Sequence, residues 1–182
     1  PRRLDSLGRL YPPYHDVQLM VDGAAAVALG HLVRERWRRA TGKRLRIAPG
    51  RAENPWPVEV APDLENVSVA IARTEPAYEL RQEVREVESL YLDSIRHARR
   101  FIYLENQYLS SSAIGNALAV RLQEKDGPEI IMVLPQEPSE WLEQVSMAVL
   151  RSRLLKRLRA ADRFARLHVY YPLIEDETVQ VR

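Results

Sequence analysis

Residues 101–134 read FIYLENQYLSSSAIGNALAVRLQEKDGPEIIMVL, and their pattern sets the architecture. Residues 101–105 are mostly apolar and short enough for a strand. A helical pattern follows over residues 113–125, and Asp126-Gly127-Pro128 then breaks the chain. Residues 129–134 run Glu-Ile-Ile-Met-Val-Leu, nearly unbroken apolar sequence of the kind expected for a strand at the centre of a sheet. Strand, helix and strand in that order predict a parallel pair joined by a crossover helix.

The same alternation continues outward. Downstream, Ser139 is placed to cap a long helix carrying Leu142, Val145, Val149, Leu154 and Leu158, and residues 167–171 form a last strand. Upstream, Val67, Val69 and Ile71 alternate as a short strand. Thr74 and Pro76 predict a helix start, with Leu80, Val84, Val87, Tyr91 and Ile95 as its buried stripe to about His97. Pro49, Pro55, Pro57 and Pro62 mark a connector before it. Ahead of the connector, Val17, Leu19 and Val21 alternate within a strand over 15–21. A helix over 24–39 follows, with Ala26, Leu29, Val33 and Trp37 on one stripe, and Gly42 ends it. Strands alternating with helices predict the α/β class: a layered α/β/α sandwich whose mostly parallel, or mixed, sheet is covered on both faces.

Composition narrows the chemistry. The 182 residues contain no Cys, which excludes a disulfide scaffold, a thiol nucleophile and Cys-ligated metal. No apolar run approaches the roughly 18 residues that span a bilayer. The net charge is only +2, yet basic residues cluster: Arg34 to Arg51 holds eight against one Glu, and Arg151 to Arg166 seven against one Asp. Such clusters suit anionic lipid or nucleic acid, although an Arg-rich outer helix face also serves simply as a solvated surface.

His31, His97 and His168 have no second ligand at metal-binding spacing, so they read as structural or surface residues. His15-Asp16 stands apart at a strand entrance beside Pro12-Pro13. Ser110-Ser111-Ser112 reads as the cap of the following helix. No dinucleotide fingerprint, P-loop or nucleophile elbow occurs. Glu105-Asn106-Gln107, at the carboxyl end of a strand, is the informative cluster, because open α/β sheets place ligand sites there.

Three segments resemble the phospholipase D family, in the family's order. RFIYLENQYL at 100–109 resembles its I-Y-x-E-N-Q-[FY] signature. YPPYHDVQLMVDGAAAVALGHLVRERW at 11–37 resembles the His-Asp strand and Gly-Ala-Ala helix after the first catalytic motif. VLRSRLLKRLRAADRFARLHVYYPL at 149–173 resembles the helix and strand that lead to the second.

The resemblance implies phosphodiester cleavage by two H-x-K-x-x-x-x-D motifs, one from each half of a pseudo-twofold structure, with no metal or cofactor. One His attacks phosphorus and the other protonates the leaving alcohol, while the two Lys hold the phosphoryl oxygens. Neither motif occurs in these 182 residues. The chain is therefore expected to be a segment lying between them, with an incomplete pseudo-twofold repeat and no activity alone. Residues 1–43 are expected to be the end of the first half, 44–66 the connector, and 67–182 the start of the second half.

Asp16 matches the family's acid that orients a catalytic His of the other half. Glu105, Asn106 and Gln107, and more weakly His15, match positions that support the active-site pocket. The implied partners are a phospholipid substrate, an anionic membrane surface and the missing parts of the same polypeptide. Apolar surface left on the first strand–helix unit is expected to be covered by the second unit or by another copy of the chain. Two other readings stay open: a superfamily phosphodiesterase acting on nucleic acid, and a catalytically dead module that binds a membrane or partner.

Overall fold

The computed structural model describes residues 4, 7, 8, 17–47, 56–135 and 141–172, with backbone alone for 141–146. The chain divides into two compact units, Tyr14–Ile71 and a larger one formed by Ala72–Arg182 with Pro1–Pro13.

The larger unit is α/β. Its elements are β1 (Thr74–Glu75), β2 (Val84–Arg85), α1 (Glu86–His97), β3 (Phe101–Glu105), α2 (Ser112–Gln123), β4 (Glu129–Val133), α3 (Trp141–Ala161) and β5 (Leu167–Tyr170). Strands β3, β4 and β5 form a parallel sheet in that order, with β4 in the centre as its apolar run demands. In register, Ile102 sits beside Ile130 and Leu167, and Leu104 beside Met132 and Val169. These residues face the helices and join Ile95, Leu118, Leu122, Leu154 and Leu158 in one apolar core. Two crossovers that advance in the same direction put their helices on one side of the sheet, and α2 packs against both α1 and α3.

The alternate residues face the other way. Phe101, Tyr103 and Tyr170 are 62%, 52% and 56% exposed. Within this unit the described residues supply one helical layer, whereas the sequence predicts helices on both faces.

Two close approaches set the helix packing. A Cβ at Gly115 would collide with the Leu154 side chain, so glycine lets α2 and α3 meet there with Leu154 in its present position. At the far end of α2, Arg166 is buried, and its Nη2 donates to the carbonyls of Leu122 and Glu124. Its cation thus sits at the helix C-terminus, where the dipole favours positive charge. Asp162 fixes the turn before β5 by accepting from the backbone N–H groups of Arg166 and Leu167 at 2.9 and 3.0 Å.

The region before α1 departs from expectation. The helix predicted from Thr74 begins only at Glu86, and residues 74–85 fold back as a short antiparallel hairpin, Thr74 beside Arg85 and Glu75 beside Val84. The cause is a long-range clasp. Glu86 accepts from the Arg73 backbone N–H at 3.0 Å and from its guanidinium at 2.9 and 2.7 Å, while the Glu86 N–H donates to the Arg73 carbonyl at 2.9 Å. Leu80, predicted in the buried stripe, lies fully exposed at the hairpin turn. The predicted strand at 67–71 is also absent, because alternation specifies a strand only where a neighbour completes its hydrogen bonds.

In the smaller unit the helix Gly23–Thr41 matches the predicted span closely. Gly42 ends it in the left-handed conformation at φ 72°, its N–H donating to the Arg38 carbonyl at 2.8 Å. Residues 17–21 are not a strand, and no strand beside them lies among the described residues of this unit. None of the helix's residues is buried. Leu29, Val33 and Trp37 are 41%, 64% and 47% exposed. The amphipathic stripe exists, and this unit alone does not cover it.

Candidate functional site

The carboxyl end of β3 is where the sequence concentrates polar groups, and the structure gives each a different task. The Asn106 N–H donates to the Val133 carbonyl at 3.1 Å, prolonging the β3–β4 ladder by one bond. Its side-chain oxygen accepts from the N–H groups of Tyr108 and Leu109 at 3.0 and 2.6 Å. This is an Asx-type turn, in which a short side chain stands in for a backbone carbonyl. It holds Leu109 at φ 47°, a left-handed conformation that costs a branched residue energy, while burying its side chain.

Glu105 points to the open face of the sheet. The Tyr103 hydroxyl donates to its Oε1, and that bond to a carboxylate pushes the hydroxyl's pKa up. Gln107 is exposed. Thus the strand's period of two separates Glu105 from Asn106, and the three signature residues do not converge on one point. Ser111 caps α2, its Oγ accepting from the Ile114 N–H at 3.4 Å, so the serine run does the structural work the sequence suggests.

Two cavities flank this strand end. One, of about 430 Å³, runs along β3 between Tyr103, Glu105 and the α1 residues Leu90, Tyr91 and Ser94. The other, of about 560 Å³, lies beyond the strand end. Asn106, Tyr108, Ser110 and Ser111 form one wall, Val87, Glu88 and Tyr91 of α1 another, and the β1–β2 hairpin the third. Its rim carries Glu75, Glu83 and Glu88 with Arg85, which pairs with both Glu83 at 3.6 Å and Glu88. The hairpin wall is hidden in the sequence, because the helix expected from Thr74 takes in both Glu75 and Glu83. No short-range signal marks them, since the fold-back depends on Arg73 meeting Glu86.

Within the larger unit, His97 and His168 sit away from this end. His97 Nδ1 lies 2.8 Å from the Asp93 carbonyl, and His168 Nε2 lies 2.9 Å from Glu129 Oε2 near the opposite end of the sheet. His31 is exposed on its helix. Among the described residues no three His, Asp or Glu side chains cluster to hold a metal ion. His15 and Asp16, the other site residues expected from sequence, lie outside the described residues. So does the cap expected at Ser139. No helix among the described residues is long and apolar enough to cross a membrane.

The larger unit is of the α/β class, with its polar signature at the carboxyl end of a parallel strand. Comparison with known proteins makes the class narrower. No protein-family model matches the chain. Over 88% of its length it is 27% identical to phospholipase D alpha 1 of Zea mays, and 24% identical to phospholipase D alpha 3 of Arabidopsis thaliana. Phospholipase D alpha 1 of Ricinus communis matches at 27% over the same share. The chain spans about a fifth of the length of these curated relatives, 21% in each case. Its relationship to phospholipase D is distant and partial, and it is phospholipase D-like in that sense.

Proposed function

We propose that this chain is part of a phosphodiesterase that cleaves phospholipid headgroups, or passes the phosphatidyl group to another alcohol. The observation that supports this best is similarity to plant phospholipases D along 88% of the chain, with Glu105-Asn106-Gln107 standing at the carboxyl end of β3. In this reading residues 1–43 end the first half of a pseudo-twofold enzyme, 44–66 connect, and 67–182 begin the second. The open face of the β3–β4–β5 sheet belongs to a larger sandwich completed by the rest of that enzyme.

The chemistry proceeds through a phosphohistidine. A nitrogen of one His forms a bond to phosphorus as the bond from phosphorus to the headgroup oxygen breaks, and the second His gives that oxygen a proton. Water, or a second alcohol, then attacks phosphorus, loses its proton to the second His and breaks the phosphorus–nitrogen bond. Asp16 accepts a hydrogen bond from one of these imidazoles, fixing its tautomer and stabilising its charged form. Glu105, Asn106, Gln107 and His15 shape the pocket wall. Because the 182 residues contain neither H-x-K-x-x-x-x-D motif, the chain alone is inactive.

The test compares the parent polypeptide with the 182-residue chain on phosphatidylcholine vesicles containing ethanol. Choline release and phosphatidylethanol from the parent alone support the reading. Headgroup release by the 182-residue chain above a heat-denatured control overturns its inactivity. A parent that cuts DNA and leaves the lipid intact is a nuclease, and one that does neither is a binding module.

A further inference from the structure

The C-terminal half of α3 carries a charge pattern that the helix itself does not balance. Between residues 145 and 161 there is no Asp or Glu. Arg153, Lys156, Arg157 and Arg159 are exposed, as is Arg163 just beyond the helix, and no carboxylate pairs with them among the described residues. The other long helices carry acids in place: Glu35 meets Arg38 and Arg39 at 2.7 and 2.8 Å, and Asp93 meets Arg96 at 3.2 Å.

Helix electrostatics explain only part of this array. The dipole favours cations in the last turn, which accounts for Arg159 and not for Arg153 or Lys156. Arg153 lies three residues from Lys156 and four from Arg157, spacings at which like charges repel. A surface of opposite charge offsets that repulsion. The stripe around Leu154 and Leu158 is buried in the core, so the basic stripe looks outward. One turn towards the N-terminus, Val149 and Leu150 are 44% and 43% exposed beside it.

We propose that this outward face of α3 docks on an anionic phospholipid bilayer. The cations meet the headgroups, and Val149 and Leu150 enter the boundary between headgroups and acyl chains. Nucleic acid fits less well. A phosphate backbone has no use for two exposed aliphatic residues, and the ring of Phe164, just beyond the helix, already lies 5.1 Å beneath the Arg166 guanidinium. The surface requires no catalytic motif, so it stands or falls separately from the enzymatic reading.

Co-sedimentation of the 182-residue chain tests it, using vesicles of phosphatidylcholine with and without phosphatidylglycerol. Binding is expected only with the anionic lipid and falls with added salt. The triple variant R153A/K156A/R157A loses roughly a hundredfold in affinity, about fivefold per cation. V149S/L150S loses roughly tenfold and keeps the salt dependence. Circular dichroism confirms that the variants remain folded. Equal binding to neutral vesicles overturns the proposal, as does a triple variant that binds like the unsubstituted 182-residue chain. Tighter binding to duplex DNA than to vesicles at the same salt assigns the face to nucleic acid. Loss of binding in R36A/R44A/R46A alone moves the docking surface to the smaller unit.

Discussion

The side-chain oxygen of Asn106 accepts a hydrogen bond from the Leu109 N–H at 2.6 Å, and this bond holds a buried leucine in a left-handed backbone conformation at φ 47°. Asn106, expected from sequence to support a pocket, is committed to the backbone of its own loop. The loop forms one wall of the larger cavity, so its shape depends on that commitment.

Replacing Asn106 tests this. Asn106→Ala removes both acceptor bonds and is expected to destabilise the larger unit by about 1–3 kcal/mol in urea denaturation. Asn106→Asp keeps an acceptor oxygen in the same place and is expected to retain most of that stability. Equal losses in the two variants would mean that the turn does not hold the loop.

The two glycines of the α2 region differ in what blocks a side chain. At Gly115 the obstacle is the tip of Leu154. At Gly127 it is the Arg121 carbonyl, with Arg166 Nη1 at 2.7 Å. A leucine tip rotates and a carbonyl does not. Gly115→Ala is expected to cost about 1–3 kcal/mol, and much less in a Leu154→Ala background. Gly127→Ala is expected to cost more than Gly115→Ala. Thermal denaturation of the four variants checks both statements.

Arg38 and Arg39 both donate to Glu35, and these bonds hold its carboxyl down to about 2 from an ordinary value of 4.5. A depressed acid stabilises the folded form above its ordinary range, and that contribution disappears as pH falls from about 4.5 to about 2. The helix Gly23–Thr41 is therefore expected to lose order over this interval, and Glu35→Gln to lose that part of its acid sensitivity. Carboxyl and amide shifts of Glu35, followed by NMR through the titration, measure it.

The Arg73–Glu86 clasp sets where α1 begins, and its guanidinium holds the Glu86 carboxyl below its usual range. Arg73→Ala is expected to speed hydrogen exchange several-fold at the Glu86 and Val87 amides, which donate to the Arg73 carbonyl. Amides of α2, buried in the core, should exchange at unchanged rates. Global acceleration would instead make the clasp part of the main folding unit.

Much of the larger unit was legible because its rules are local. An apolar run of strand length, a helical period and a Gly-Pro break are enough to place β3, α2 and β4, and the same reasoning reaches α3 and β5. The N-cap at Ser111 and the C-cap at Gly42 follow from side-chain chemistry within four residues. The start of α1 was not legible, because Arg73 and Glu86 are thirteen residues apart and their pairing turns a helical pattern into a hairpin. Residues 17–21 and 67–71 alternate correctly and still form no strand, since alternation says which face is apolar and not whether a partner strand is there.

Short patterns along the chain were enough to predict the α/β class, the order of the central elements and a resemblance to phospholipase D. What Glu105 and Asn106 each bond to, which wall the hairpin builds, and which face of α3 is left bare and basic emerge from the three-dimensional fold alone. Those depend on contacts between distant residues and on burial, and neither is written in any local stretch.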